Sequence, residues 1–281
     1  MSTQTISTTW KLGGTLNINR LGYGAMQLTG TGVWGEVNNR ENAKKVLQAA
    51  VAGGVNFIDT AEAYGPKLNE SLIADALHPY QKGLVIATKG GFDRTGPGQW
   101  IPKGTPEFIR SNIEGSLKRL KVDTIDLWQL HRFDANVPVE ETLGPVAEAV
   151  KAGKIRYVGL SEVGIEQIER AEKIVPIVSV QNRYNLGDRQ WEPILDYTIK
   201  RNMAFIPWYP LASGPESLSD KINHIARVHN ATTAQIALAW LLRRAENILL
   251  IPGTSSIGHL QENLAAGDIV LSDAEFEALS K

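Results

Sequence analysis

The sequence predicts a (β/α)8 barrel with a small N-terminal β-hairpin, a single domain over residues 1–281. Eight short strand-like runs alternate with helical patterns along the chain, the order that gives a parallel sheet wrapped by helices. Most of these runs are nearly continuously apolar, as strands buried on both faces must be. No linker, low-complexity stretch or charge block divides the 281 residues, a length that suits one large α/β barrel.

Trp10-Lys11-Leu12, then Gly13-Gly14, then Thr15-Leu16-Asn17-Ile18 reads as the hairpin, its two glycines supplying the positive φ of a tight turn. The strand runs are 20–26, 55–59, 84–89, 125–131, 155–161, 177–181, 203–208 and 248–251. Between them, 40–52 reads as a helix stopped by Gly53-Gly54. Thr105-Pro106-Glu107 opens a helix over 108–120 with a cap and a first-turn proline. Helical patterns follow at 139–152, 165–174, 191–201, 218–229, 233–244 and 257–266, and Ser272-Asp273-Ala274-Glu275 is the capping box of a last short helix. The longest irregular pieces, 29–39 and 90–104, both follow strands. Both should therefore lie at the C-terminal mouth of the barrel, where active sites sit.

Composition excludes several classes of function. Lys and Arg total 29 against 30 Asp and Glu, so the net charge is −1, which gives no electrostatic reason to expect nucleic acid or an anionic membrane as partner. With no cysteine, disulfides, thiolate nucleophiles and Cys-ligated metals are excluded. Residues 1–10 lack a basic-then-apolar signal pattern, and no apolar run reaches membrane-spanning length. A soluble, cytoplasmic protein is expected, monomeric or weakly homo-oligomeric, and no metal site is expected. His224 and His229 are five apart, which splits them across helix faces.

Four polar residues end three consecutive strand runs. Asp59 closes the second, Tyr64 follows five residues later, Lys89 closes the third and His131 the fourth. Taken singly, Asp59 could cap a helix, Tyr64 could be a loop aromatic, Lys89 could be solvated and His131 could be a core histidine. Together, on parallel strands, they converge on one point, where unpaired polar groups would be costly. A tyrosine with an ordinary pKa of about 10 is a weak acid near neutrality. A neighbouring ammonium should lower that value, and a carboxylate should hold the ammonium charged. Such a set can protonate a carbonyl oxygen while another group attacks the carbon. No Gly-x-Ser-x-Gly elbow or His-Glu-x-x-His motif supplies that attacking group. A hydride donor fits best, yet Gly22-Tyr23-Gly24 lacks the third glycine of a dinucleotide fingerprint. A nicotinamide would have to bind at the barrel mouth itself.

At this point the chain resembles the aldo-keto reductase superfamily over almost its whole length. The matching stretches are Arg20 to Met26, Asn56 to Gly65, Ile86 to Lys89, Gly153 to Ser161, Val180 to Asn185 and Ile251 to Ser256. The resemblance implies a nicotinamide cofactor bound extended on a (β/α)8 barrel, and reversible reduction of aldehydes or ketones. It implies Tyr64 as proton donor, Asp59 and Lys89 as its tuners, and His131 as carbonyl orienter. Ser161 and Gln181 match the contacts to the nicotinamide carboxamide. Glu162 stands where an asparagine is usual, Trp208 where the stacking aromatic is usually tyrosine, and Leu211 and Ser213 fall in the pyrophosphate-covering loop.

Thr254, Ser256, His259, Glu262 and Asn263 match the adenosine-phosphate segment, beside a helix start that favours anions. Gly253 replaces a lysine there, and His259 an arginine. NADP(H) is expected, with NAD(H) possible and a weaker preference than usual. The Ala25-to-Gly30 run and Gly253-Thr254-Ser255-Ser256 resemble bacterial members described as pyridoxal reductases or pyridoxine 4-dehydrogenases. Trp34 and Trp100, in the two mouth loops, are candidate walls of the substrate pocket. Two alternatives stand beside the reductase: a lyase or aldolase using Lys89 as a Schiff-base amine, and a cofactor-retaining binding subunit.

Overall fold

The computed structural model describes residues 7–211 and 216–281, with the side chains of 216–218 left aside. The hairpin forms from β1 (Thr9–Leu12) and β2 (Leu16–Asn19), antiparallel about the Gly13-Gly14 turn. Both glycines have positive φ, at 57° and 77°. Then β3 (Tyr23–Gly24), β4 (Phe57–Asp59), β5 (Val85–Gly90), β8 (Ile125–Leu130), β9 (Ile155–Ser161), β10 (Ile177–Gln181) and β11 (Ala204–Phe205) form one parallel sheet in chain order. A short antiparallel pair, β6 (Phe92–Asp93) with β7 (Ile101–Pro102), gives regular structure to the 90–104 loop, where the sequence shows no strand pattern.

The predicted eighth strand closes the sheet on itself. Ile248 bridges to Phe205, and Leu250 bridges to Leu21, both in parallel. Leu249 N–H donates to the Phe205 carbonyl at 2.9 Å, and Gly22 N–H to the Leu250 carbonyl at 2.8 Å. Segment 248–251 thus joins the two edges as single bridges rather than as a full ladder.

Nine predicted helices are present: α1 (Arg40–Ala52), α3 (Pro106–Leu120), α4 (Val139–Lys151), α5 (Ile165–Glu172), α6 (Glu192–Lys200), α7 (Glu216–Val228), α8 (Thr233–Arg244), α9 (Ile257–Ala265) and α10 (Asp273–Ser280). A tenth, α2 (Leu68–Leu77), follows β4 and was not legible in the sequence. It starts at Lys67 in the left-handed region with no side-chain cap. Its buried face carries Asn69 and Glu70 beside Leu72 and Ile73, so the apolar period that would betray a helix is broken.

Strand alternation decides what reaches the lumen. Phe57, Val85, Ala87, Leu127, Ala204, Ile206, Leu249 and Ile251 pack together with Leu12 and Ile18 of the hairpin. The hairpin therefore plugs one end of the barrel. Two residues beyond Phe57, Ala87 and Leu127 on that same inward face come Asp59, Lys89 and Gln129, at the other end. The alternate residues Trp128, Leu130, Val158, Leu160 and Val180 face the helices.

Arg20 closes the seam where the first and last strands meet. Its side chain is fully buried and donates to the carbonyls of Ile248 (3.0 Å), Leu242 (2.7 Å), Ala245 (2.5 Å) and Ser7 (2.9 Å). Removing it would orphan those carbonyls in an apolar setting. Arg20→Met should lower the unfolding free energy by about 2–4 kcal/mol, seen as a lower urea midpoint at unchanged slope. An unaltered midpoint would mean that the seam closes without the guanidinium.

Candidate active site

Asp59, Tyr64, Lys89 and His131 converge at the mouth. Lys89 is completely buried, Asp59 is 2 % exposed, and Tyr64 and His131 are nearly as enclosed. The Lys89 ammonium donates to Asp59 Oδ1 at 2.5 Å, to the Thr60 carbonyl at 2.9 Å and to the Tyr64 hydroxyl at 3.4 Å. Three donors thus meet three acceptors, which is what a buried ammonium requires. The other carboxylate oxygen of Asp59 accepts from Gln181 Nε2 at 2.9 Å and Gln129 Nε2 at 3.1 Å. Sequence reading missed Gln129, although it lies two residues beyond lumen-facing Leu127, a signal that could have found it.

Burial lowers the pKa of Lys89, but Asp59 and then Tyr64 outweigh it, and the net shift is upward. For Tyr64 the expectation was a value pulled down by Lys89. Burial instead prevails over the ammonium and pushes the phenol up, so it stays protonated at neutral pH. His131 is held well below 6.5 by burial, then by Lys89, Arg132 and Arg94. It is a neutral imidazole whose buried Nδ1 has no hydrogen-bond partner. Its ring packs edge-on against Phe92 (4.7 Å), Tyr64 (5.9 Å) and Trp100 (6.2 Å).

Both predicted pocket tryptophans are at the mouth. Trp100 lies 6.4 Å from the Tyr64 ring, centroid to centroid. Trp34 is bridged to Gly65, the residue after Tyr64. Arg94, which sequence reading passed over, stands over Trp100 at 3.6 Å and Trp34 at 5.6 Å.

The predicted cofactor residues divide into two groups. Near the four predicted catalytic residues, Ser161 is buried and its Oγ accepts from Arg132 Nη1 at 2.9 Å. Gln181 gives its amide N–H to Asp59 and carries no hydrogen bond on its amide oxygen from the described residues. Glu162, in the left-handed region at φ 55°, accepts at Oε1 from the Arg183 backbone N–H and from the Trp208 indole N–H, both at 2.6 Å. It therefore fixes the half-buried Trp208 ring. Leu211 is half-buried and packs against the main apolar cluster, and Ser213 falls outside the described residues.

At the far end, Ser256 caps α9, its Oγ accepting from His259 N–H at 3.4 Å. Thr254 Oγ1 accepts from Ser256 N–H at 3.1 Å, and the Thr254 carbonyl accepts from Tyr23 at 2.5 Å. His259 and Glu262 are exposed and Asn263 is buried. The missing lysine has a steric reason. A Cβ at Gly253 would stand 2.8 Å from the Gly24 carbonyl oxygen. A capped helix start with two hydroxyls, an aromatic plate and unsatisfied amide and imidazole atoms together fit an extended dinucleotide.

Comparison with known proteins points the same way. The profile of the aldo/keto reductase family matches residues 20–281. The chain is 46% identical over 269 residues to an uncharacterized oxidoreductase of Schizosaccharomyces pombe, covering 95% of this chain and 88% of that one. It is 40% identical over 272 residues to pyridoxine 4-dehydrogenase of Escherichia coli, covering 95% of each. An aldo-keto reductase from Klebsiella pneumoniae solved with NADPH superposes with a TM-score of 0.82 at 27% identity, covering 98% of this chain and 94% of that one.

The neutral His131 has a consequence for stability. The unfolded chain takes up a proton at this histidine near pH 6.5, and the folded one resists it. Its contribution is complete above that pH and is lost progressively as the pH falls below it. His131→Gln should therefore lose less of its urea midpoint than the wild type between about pH 7 and pH 5. Equal losses would place the folded imidazole at its ordinary value.

Proposed function

The chain belongs to the aldo/keto reductase family, and from that premise we propose that it is an NADPH-dependent oxidoreductase interconverting an aldehyde or ketone with its alcohol, with Tyr64 as general acid. The observation that carries this reading is the single ammonium of Lys89 bonded at once to Asp59 and to the Tyr64 hydroxyl. When bound, the reduced nicotinamide supplies the hydride.

Everything else is work for this chain's own side chains. Tyr64 keeps its proton at neutral pH because it is buried, and so can give it to the substrate's carbonyl oxygen. The phenolate left behind would sit against the Lys89 ammonium, whose charge Asp59 maintains. Neutral His131 hydrogen-bonds the same oxygen and sets its direction. Gln129 and Gln181 restrain Asp59, so the ammonium cannot drift toward solvent. In the other direction the phenolate would take the alcohol's proton.

Ser161 and Gln181 would hold the carboxamide, and Trp208, braced by Glu162, the ring. Leu211 and Ser213 would cover the pyrophosphate, and Thr254, Ser256, His259, Glu262 and Asn263 the adenosine phosphate. Loss of the usual lysine at Gly253 leaves NAD(H) as a second cofactor. Trp34 and Trp100 would wall the substrate. Pyridoxal and pyridoxine are the proposed pair, supported by 40% identity to a pyridoxine 4-dehydrogenase. We read residues 1–281 as one catalytic domain acting in the cytoplasm as a monomer or weak homo-oligomer.

The Schiff-base alternative needs a neutral Lys89 amine. Burial alone would favour one, but Asp59 and Tyr64 reverse the shift, and a lysine so paired is a poor nucleophile. Tyr64→Phe should cut pyridoxal turnover with NADPH by about 10²–10⁴-fold. Cofactor binding, followed by quenching of tryptophan fluorescence, should stay close to the wild type. A variant that keeps full turnover would remove Tyr64 from the proton step.

A further inference from the structure

Arg94 is a buried cation at the mouth without a counter-ion. Its side chain is 8 % exposed, and among the described residues no carboxylate lies within ion-pairing distance. Two other enclosed cations are paired: Lys89 with Asp59, and Arg119 with Glu70 at 2.7 Å. Fully buried Arg20 is met by four carbonyls. Among the described residues Arg94 has only the Ala63 carbonyl at 2.9 Å and the Gly32 carbonyl at 3.4 Å, and its buried Nε has no partner there. Stacking on Trp100 and Trp34 offsets part of the desolvation. Some desolvation cost of an unpaired guanidinium remains, and an arriving anion would reduce it.

The position suits a substrate. Arg94 lies against Trp100, and the Trp100 ring lies 6.4 Å from Tyr64 and 6.2 Å from His131. One flat ring therefore neighbours both the guanidinium and the two groups that address the carbonyl. Neighbouring charges leave this one uncompensated. Asp93 is tied to Lys103 at 2.8 Å, and Glu62 faces Lys67 at 3.8 Å. Arg132 also lacks an ion pair, but its guanidinium is engaged by the His131 carbonyl and by Ser161, on the cofactor side.

We propose that Arg94 receives an anionic oxygen of the substrate, so that the site selects flat carbonyl compounds carrying a carboxylate, phosphate or phenolate. This rests on the carbonyl-reducing reading above and adds the substrate's charge to it.

A matched pair tests it: 4-carboxybenzaldehyde against methyl 4-formylbenzoate, with NADPH. The acid-to-ester ratio of kcat/KM should fall about tenfold in Arg94→Met, through KM, and recover in part in Arg94→Lys. An unchanged ratio, with both substrates slowed alike, would reduce Arg94 to a strut between loops and overturn the proposal. If the wild type reduces neither aldehyde, the carbonyl-reducing reading fails, and binding decides the anion question separately. By tryptophan fluorescence, wild-type protein should bind terephthalate about tenfold more tightly than its dimethyl ester. The opposite order, which needs no variant to fold, overturns the proposal.

Discussion

A lysine ammonium with no access to water sets the terms for the rest of this site. Moving such an ion out of solvent costs several kcal/mol, and a partner repays it only with good geometry and further hydrogen bonds. Each requirement is met by a different part of the chain. Asp59 comes from the neighbouring strand β4, where its register partner on β5 is Ala87, two residues before Lys89. The Thr60 carbonyl is held because Thr60 N–H donates to the Ala87 carbonyl, while its hydroxyl donates to Asn69 on α2. Asn69 in turn donates to the Ala25 and Leu28 carbonyls below the first mouth loop. The polar face of α2 is thus part of the support for the ammonium, and the helix is built around that duty rather than around an apolar stripe.

The same constraint explains the state of the phenol. A protonated tyrosine in a dry pocket is stable because burial opposes the tyrosinate, and Lys89, already engaged with Asp59, weakens that opposition without removing it. The ammonium is therefore placed to stabilise the charge that would appear if the proton left. That is preorganisation: the donors are in place before the charge develops, and no solvent has to reorient. His131, neutral for the same reason of burial, can hydrogen-bond without adding a second positive charge to the oxygen's surroundings.

Much of this was legible because period-two alternation and strand ends are local facts. Asp59, Lys89 and His131 each close a run whose apolar residues must face the lumen or the helices, so a parallel barrel brings them together with no knowledge of loops. What was not legible depends on contacts distant in sequence. The helix α2 hides because Asn69 and Glu70 are buried by partners on other elements, Thr60 and Arg119. Glu162 stands in the sequence only as a replacement for the usual asparagine, whereas its oxygen is engaged by Trp208, 46 residues away. Arg94 carried no signal at all, since nothing in its neighbourhood along the chain shows that Ala63, Gly32 and two tryptophans surround it.

The two ends of the mouth are under different kinds of constraint. At the reacting end, side chains fix one another through short contacts. At the end beside α9, the backbones of the first and last strands come so close that side chains are excluded. A Cβ at Gly24 would lie 2.5 Å from the Ile251 carbonyl oxygen, and one at Gly253 only 2.8 Å from the Gly24 oxygen. That closeness goes with the sparse seam, where single bridges and the carbonyls gathered by Arg20 replace a regular ladder. A lysine at Gly253 would push the seam apart, which leaves the start of α9, its capping hydroxyl and the exposed His259 as the polar groups at this end. Closure of the barrel and the choice of side chains this end can carry are therefore set by the same few backbone atoms, and here closure has the stronger claim.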